Sequence, residues 1–377
     1  MREGTGRTGN THRFSLRVAA LIPALAPTLI LLGCSTPLYL AKLGWGEAKI
    51  VLRSRPNDRV LGDPAVEEST KEKIRLVMEA KAYGEKSIGL DRTSNFSTFY
   101  QVEGPSLLYV VTASRKDRLE AYSWWFPITG RVTEKGFFGY RDALKEKERL
   151  RARGLDVYVQ GAQAYSTLGW FKDPIFSTML DQDPAMVVNV VLHEMTHATV
   201  FFKGELDFNE QLATFVGGQG SVDFTGIKFG AGSPVQRRAE GFIQDSILFA
   251  RFIDALRGRL EEIYSLPIPL EAKLERREAV FLQAKKEFKE IEGRLRTDLY
   301  TGFESVPLNN ASVLALGRYV AHVEGIQRVY EELGRSLKKT VSFFKELKRK
   351  GVAHPRTYMA HWLEEKRSEK SASPVGD

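Results

Sequence analysis

Residues 189–215 read NVVLHEMTHATVFFKGELDFNEQLATF. His193 and His197 stand four apart in a run otherwise almost free of charge, with VVNVVL before the first and ATVFF after the second. Helical spacing puts residues i and i+4 on one face, so both imidazoles can reach one ion. Glu194 projects about 100° round the same helix from His193. It stays beside such an ion without joining the pair, where a general base for a water molecule belongs. Burying three ionisable groups in an apolar helix is costly unless something compensates them, and a metal does so. The competing reading is a pair of structural histidines satisfied by nearby carboxylates.

A catalytic zinc takes three protein ligands and leaves one position open. Downstream of His197 the chain offers Glu205, Asp207 and Glu210. Glu205 and Asp207 fall in the expected turn after Gly204. Glu210 follows Asn209, a plausible N-cap, and opens the next apolar segment, EQLATFV. A helix reaching Lys203 carries the chain about 9 Å beyond His197. Residues 204–209 can span up to about 20 Å when extended. Glu210, in the first turn of an antiparallel helix, can therefore return to the ion, and it is the preferred third ligand.

Upstream, Asp183 is the expected N-cap of this helix, Pro184 suits its first position, and Gly204 suits its stop. From about Leu107 the sequence is rich in β-branched and aromatic residues: SLLYVVTAS, RLEAYSWWFPI and RVTEKGFFGY read as two or three strands. RDALKEKERLRARG reads as a charged helix ending at Gly154, and residues 155–160 as another strand. Downstream, GGQGSVDFTGIKFGAGSP predicts a loop or lid without a phosphate-cradling pattern. Two long helices follow, about 235–264 and 270–295, then helices over about 309–333 and 337–349. Strands first and helices after predict an α+β fold. The expected organisation is a leader at 1–33 and one unit over 34–365. That unit is strand-rich at about 100–165, with active-site helices at 184–217 and a helical part at 235–350. A disordered tail covers 366–377.

The N-terminus carries Arg13 and Arg17 before the apolar run VAALIPALAPTLILL. The run is short for a membrane span and contains Pro23 and Pro27, as the apolar core of a secretory signal can. It ends in LLGCS, and Cys34 is the only cysteine of the chain. Leu31-Leu32-Gly33-Cys34 resembles the bacterial lipobox, which implies lipidation of Cys34 and a membrane anchor. Ser35 in place of aspartate favours the outer membrane over the inner one, with the protein at its periplasmic face. A lipidated Cys34 leaves no thiol to serve as ligand or nucleophile. Of the net charge of +8, four arginines against one glutamate place +3 in residues 1–33. The remaining +5 is dispersed, which does not imply nucleic acid.

His193-Glu194-x-x-His197 followed by Asn209-Glu210-x-x-Ala213 is similar to the gluzincin pattern. More closely, the chain resembles a bacterial family of predicted aminopeptidases, envelope lipoproteins with this H-E-x-x-H and a downstream F-N-E. The likeness extends to GLDVYVQGAQAYSTLGWFKDPIFSTML, to HEMTHATVFFKGELDFNEQLATFVG and to LNNASVLALGRY. It implies a zincin-like fold, Zn2+ held by His193, His197 and Glu210, Glu194 as catalytic base, and a peptide substrate. The gap from His197 to Glu210 is shorter than in thermolysin-like gluzincins, so the second helix must approach differently.

Around this site, residues 157–166 are a candidate substrate-pairing edge strand. Tyr165 is a candidate hydrogen-bond donor to a developing oxyanion, or a packed core residue. His322 is a candidate second donor or a helix-surface residue. Of the pair Asn309 and Asn310, capping accounts for one. Two other functions compete with peptide hydrolysis: a non-catalytic envelope protein with a structural zinc site that binds a partner or peptidoglycan, and a zinc amidase on a cell-wall amide.

Overall fold

The computed structural model describes residues 36–126, 130–162, 172–320 and 323–372. Two compact units are present, Met1–Arg53 and Ser54–Asp377. In the first, the described structure is helix α1 (Thr36–Arg53). Its Leu38, Trp45 and Leu52 are 60%, 72% and 79% exposed. Their spacing of seven aligns them in one stripe. No helix among the described residues is long and apolar enough to cross a membrane.

The second unit is α+β. Strand β1 (Arg55–Pro56) leads into helices α2 (Asn57–Leu61) and α3 (Glu68–Tyr83). It pairs antiparallel with β2 (Thr98–Tyr100). β3 (Leu108–Ser114) is the central strand of the larger sheet. β4 (Trp124–Phe126) and β5 (Gly130–Val132) pair as a separate two-stranded sheet. β6 (Glu134–Phe137) flanks β3 on one side. Helix α4 (Tyr140–Arg151) then runs to a turn at Gly154, whose φ is +79°. β7 (Asp156–Ala162) flanks β3 on the other side, also antiparallel, in the order β6-β3-β7. β8 (Ile175–Phe176) returns to pair parallel with β2.

From there the chain is helical. α5 (Ser177–Leu180) and α6 (Pro184–Thr199) precede α7 (Leu206–Phe229), α8 (Pro234–Ser265) and α9 (Leu270–Glu292). α10 (Asn310–Val320), α11 (Glu324–Glu332), α12 (Leu337–Arg349) and α13 (Pro355–Ala372) complete it. The main core surrounds α6. Val187, Val188, Val191, Leu192 and Met195 pack with Ile74 and Val77 of α3, Leu212 and Val216 of α7, and Val341 and Phe344 of α12. Each such side chain contributes about 1.5–3 kcal/mol on full burial. A second cluster of aromatic side chains, Phe249, Phe252, Phe281 and Phe288, joins α8 to α9.

Several sequence expectations are corrected here. α6 stops at Thr199, not at Gly204. Val200, β-branched and extended at φ −128°, ends it. Lys348 Nζ caps the helix by donating to the Thr199 carbonyl, 3.0 Å. Gly204, at φ +86°, makes the following turn instead. The glycine-rich stretch is no lid, because α7 continues through it to Phe229. Two of its glycines face α6: a Cβ on Gly217 would lie 2.8 Å from the Asn189 carbonyl oxygen, and one on Gly220 2.7 Å from Leu192 Cδ1. Glycine there trades helix propensity for close approach of two helices.

The helix expected over 309–333 divides into α10 and α11. The tail expected from 366 is helical as far as Ala372, held by buried Met359 and Leu363 and by Lys370, 2.7 Å from Glu332. Cys34, Tyr165 and His322 lie outside the described residues.

Candidate metal centre

α6 begins where its capping chemistry predicts. The Asp183 carboxylate accepts from the Ala185 amide at 2.8 Å, and Pro184 fills the first position. Two turns on, His193 and His197 emerge on one face with their Nε2 atoms 3.1 Å apart. The Thr196 and Thr199 hydroxyls donate back to the carbonyls of Leu192 and Met195, both at 2.7 Å. Those bonds satisfy the polar groups on the buried side and leave the histidine face clear.

α7 returns through a turn of six residues. Glu210 Oε2 lies 3.4 Å from His193 Nε2, and its Oε1 lies 3.4 Å from His197 Nε2. Among the described residues, His193, His197 and Glu210 are the group that could hold a metal ion. In a tetrahedral zinc site with bonds near 2.0–2.2 Å, neighbouring donors stand about 3.3 Å apart. The two imidazole nitrogens stand near that spacing, and each carboxylate oxygen of Glu210 lies near it from one of them. Glu205 and Asp207 do not converge on the histidines. Glu205 pairs with His354 Nδ1 at 3.1 Å, and Asp207 is exposed in the first turn of α7.

Asn209 is not the N-cap of α7. It lies inside the helix, 1% exposed, and its side chain spans the turn. Its Oδ1 accepts from the Phe202 amide at 2.9 Å, and its Nδ2 donates to the Phe202 carbonyl at 2.8 Å. One side chain thus satisfies both backbone groups of a buried turn residue and fixes where Glu210 starts. The pairing of asparagine with glutamate is visible in the sequence, but a contact reaching back seven residues is not.

Glu194 sits beside the cluster. Its Oε2 is buried without a hydrogen-bond partner among the described residues, an unusual state for a carboxylate oxygen. Burial pushes its carboxyl up, Glu210 and Asp173 add to that, and the two histidines oppose it. Burial also favours a neutral Glu210, but the two imidazoles outweigh it and hold that carboxyl well below the usual range. Burial opposes a charge on His197, and Glu210 more than offsets it. The two neighbouring carboxyls therefore have opposite tendencies. Glu210 stays ionised, as a ligand must, while Glu194 holds a proton more readily.

Two further groups near the centre have no sequence signature. Asp173, just before β8, raises Glu194 electrostatically and is anchored by Asn95 Nδ2 at 3.2 Å. Glu134 of β6 is ion-paired with Arg318 of α10 and feels Glu210, although burial is the larger influence raising it. The chain segments that carry them are brought in by the fold, so no local spacing betrays them.

The family model described as "Putative aminopeptidase" matches residues 38–359. No curated protein and no solved structure matches the chain. The family match spans more than four-fifths of the 377 residues and takes in every member of the cluster. The chain belongs to this aminopeptidase family.

Proposed function

We propose that the chain is a zinc-dependent metallopeptidase with a zincin-like site, acting on peptide amino termini at the cell envelope. The observation that carries this reading is the convergence of His193, His197 and Glu210 beside a buried Glu194 oxygen that has no hydrogen-bond partner among the described residues. The family supports peptidase chemistry. Two imidazoles and a carboxylate suit zinc, which when bound would polarise the scissile carbonyl and make a water acidic near neutral pH. Glu194 takes a proton from the attacking water as the new C–O bond forms. The same carboxyl then returns that proton to the amine nitrogen as the C–N bond breaks, so no charge accumulates on the leaving group. Its raised affinity for a proton suits the second step. Tyr165 is the proposed hydrogen-bond donor to the developing oxyanion.

The rival, a structural zinc site in a non-catalytic envelope protein, is disfavoured by the donor count. Structural sites close four positions with protein ligands, whereas this cluster offers three among the described residues. The envelope reading rests on the lipobox-like Leu31-Leu32-Gly33-Cys34. It gains support from the exposed apolar stripe of α1, which begins two residues after Cys34 and would lie against a lipid surface.

The test uses the chain from Ser35 onward. The purified protein should carry about one equivalent of zinc and release amino-terminal residues from peptides. Glu194→Gln should keep the metal and lose activity by roughly 10²–10⁴-fold. A His193→Ala/His197→Ala double variant should lose the metal. An active Glu194→Gln protein overturns the mechanism, and metal retained by the double variant overturns the site. Equal turnover of N-acetylated and free peptides would make the enzyme an endopeptidase. Turnover confined to a non-peptide amide would make it an amidase.

A further inference from the structure

The two helices that carry the ligand cluster also wall a cavity of about 210 Å3. Asn189 of α6 lines it one turn before His193, and Thr214 of α7 lines it one turn after Glu210. A turn rises about 5.4 Å, so on each helix a lining position stands one turn from a candidate ligand position. Its other walls come from α8 and the start of α11. Phe242, Ile247 and Ala250 of α8 give apolar surface, as does Phe215 of α7. Arg251 and Glu324 line it too, and both are exposed, which places charge at the solvent end. The other polar groups of the lining are uncharged amides and hydroxyls.

We propose that this cavity receives an apolar side chain of the substrate, aromatic or long aliphatic, from a residue flanking the scissile bond. The proposal rests on the metallopeptidase reading of the adjoining cluster. A dry cavity of about 150 Å3 holds a benzene molecule, so 210 Å3 has room for a phenylalanine, leucine or methionine side chain. A lysine or aspartate side chain would lose its hydration against apolar walls without a buried counter-charge to meet it. Alanine would leave most of the volume unfilled and forfeit the packing contacts. Asn189 and Thr214, at the end nearest the ligands, hold hydrogen-bonding groups where the substrate backbone passes.

The experiment compares peptides that differ only at the two residues flanking the scissile bond. Phenylalanine or leucine at one of them should give kcat/KM at least about tenfold above alanine, lysine or aspartate. Ala250→Phe fills the cavity and should reduce the phenylalanine-to-alanine ratio by at least about tenfold. Ile247→Ala enlarges it and should move the preference toward tryptophan. A binding measurement runs in parallel on the Glu194→Gln protein, with phenylalanine amide and alanine amide as probes. Phenylalanine amide should bind at least about tenfold tighter, and Ala250→Phe should remove the difference.

Peptide hydrolysis without an apolar preference, or a preference unmoved in both cavity variants, overturns the pocket and leaves the metallopeptidase reading standing. Selective, Ala250→Phe-sensitive amide binding in a protein that cleaves no peptide keeps the pocket and overturns the peptidase reading. Equal binding of the two amides together with no hydrolysis overturns both.

Discussion

At the residue scale the site depends on side chains that never touch an ion. Asn209 is the clearest case, because two hydrogen bonds from one buried amide hold Phe202 and the turn into α7. Asn209→Ala would orphan a buried N–H and a buried C=O. Each costs about 1–3 kcal/mol, so denaturant unfolding should show a loss of about 2–6 kcal/mol. Asn209→Asp keeps the acceptor for the Phe202 amide but sets a carboxylate oxygen against the Phe202 carbonyl. It should therefore fail to rescue stability and, on the zinc reading, metal affinity, and a fully stable Asn209→Asp protein would contradict the clamp. Conservation of size does not preserve the function here, because the site uses one donor and one acceptor on the same planar group.

At the element scale the close contact of α6 and α7 sets the geometry of the cluster, since His193 and His197 ride on one helix and Glu210 on the other. Gly217 is what permits it. An added Cβ meets a backbone carbonyl at 2.8 Å and His193 Cβ at 3.1 Å, neither of which can swing away. Gly217→Ala gains up to about 1 kcal/mol in helix propensity but overpacks the contact by about 1–3 kcal/mol. The expected result is net destabilisation and, on the zinc reading, weaker metal binding, because the candidate ligands of the two helices are pushed apart. Gly258, in α8, has nothing within 4 Å of its would-be Cβ. Gly258→Ala should instead stabilise by about 0.5–1 kcal/mol. Thermal unfolding of the two variants should move in opposite directions, and shifts of the same sign would refute this account of the interhelical contact.

The same contact explains what could be read beforehand and what could not. Asp183, Pro184 and the H-E-x-x-H spacing are local features, so the start of α6 and the face of its histidines were legible. The strands around Leu108–Ser114 and Asp156–Ala162 carried their own β-branched signal. The glycines of α7 pointed to a loop because propensity is a local quantity, whereas their reason lies across a helix interface. The stop at Thr199 was hidden for a similar cause. It depends on Lys348, 149 residues away in the chain, and on Val200 turning extended. Asn310 was half legible. Capping was foreseen for the Asn309-Asn310 pair, and Asn309 does accept from the Ser312 amide at 3.0 Å. Asn310, fully buried, instead donates to the carbonyls of Arg115 and Arg118 and accepts from the Tyr264 hydroxyl at 2.6 Å.

At the scale of the whole second unit, a buried polar junction joins the sheet to the helical part. Arg277 of α9 lies 2.8 Å from Asp156 of β7, and both side chains are 7% exposed. The Asn310 amide donates to the same Asp156 oxygen at 3.1 Å. Without Asp156, Arg277 keeps the more exposed Glu278 as a partner at 2.9 Å, so the loss should lie at or below the about 3–5 kcal/mol of a fully stranded buried charge. Asp156→Ala should show that loss in denaturant unfolding, with Asp156→Ala/Arg277→Met recovering part of it. A double variant no better than the single one would mean that Asp156 acts through Asn310 rather than through the ion pair.

The metal centre, on the zinc reading, ties the unit together from the other side. Any ion held only by the folded chain stabilises it by mass action, about 4 kcal/mol when free zinc stands a thousandfold above its Kd. A folded unit of this size shifts by roughly 2 °C per kcal/mol. A chelator should therefore lower the Tm of the zinc-loaded protein by about 8 °C, and added zinc should restore it. His193→Ala/His197→Ala should melt at one temperature with or without chelator. Glu194→Gln separates stability from chemistry, because it keeps all three ligands. It should show the full chelator-dependent shift while remaining inactive. A Glu194→Gln protein that melts like the double variant would make Glu194 part of the binding site rather than the proton carrier beside it.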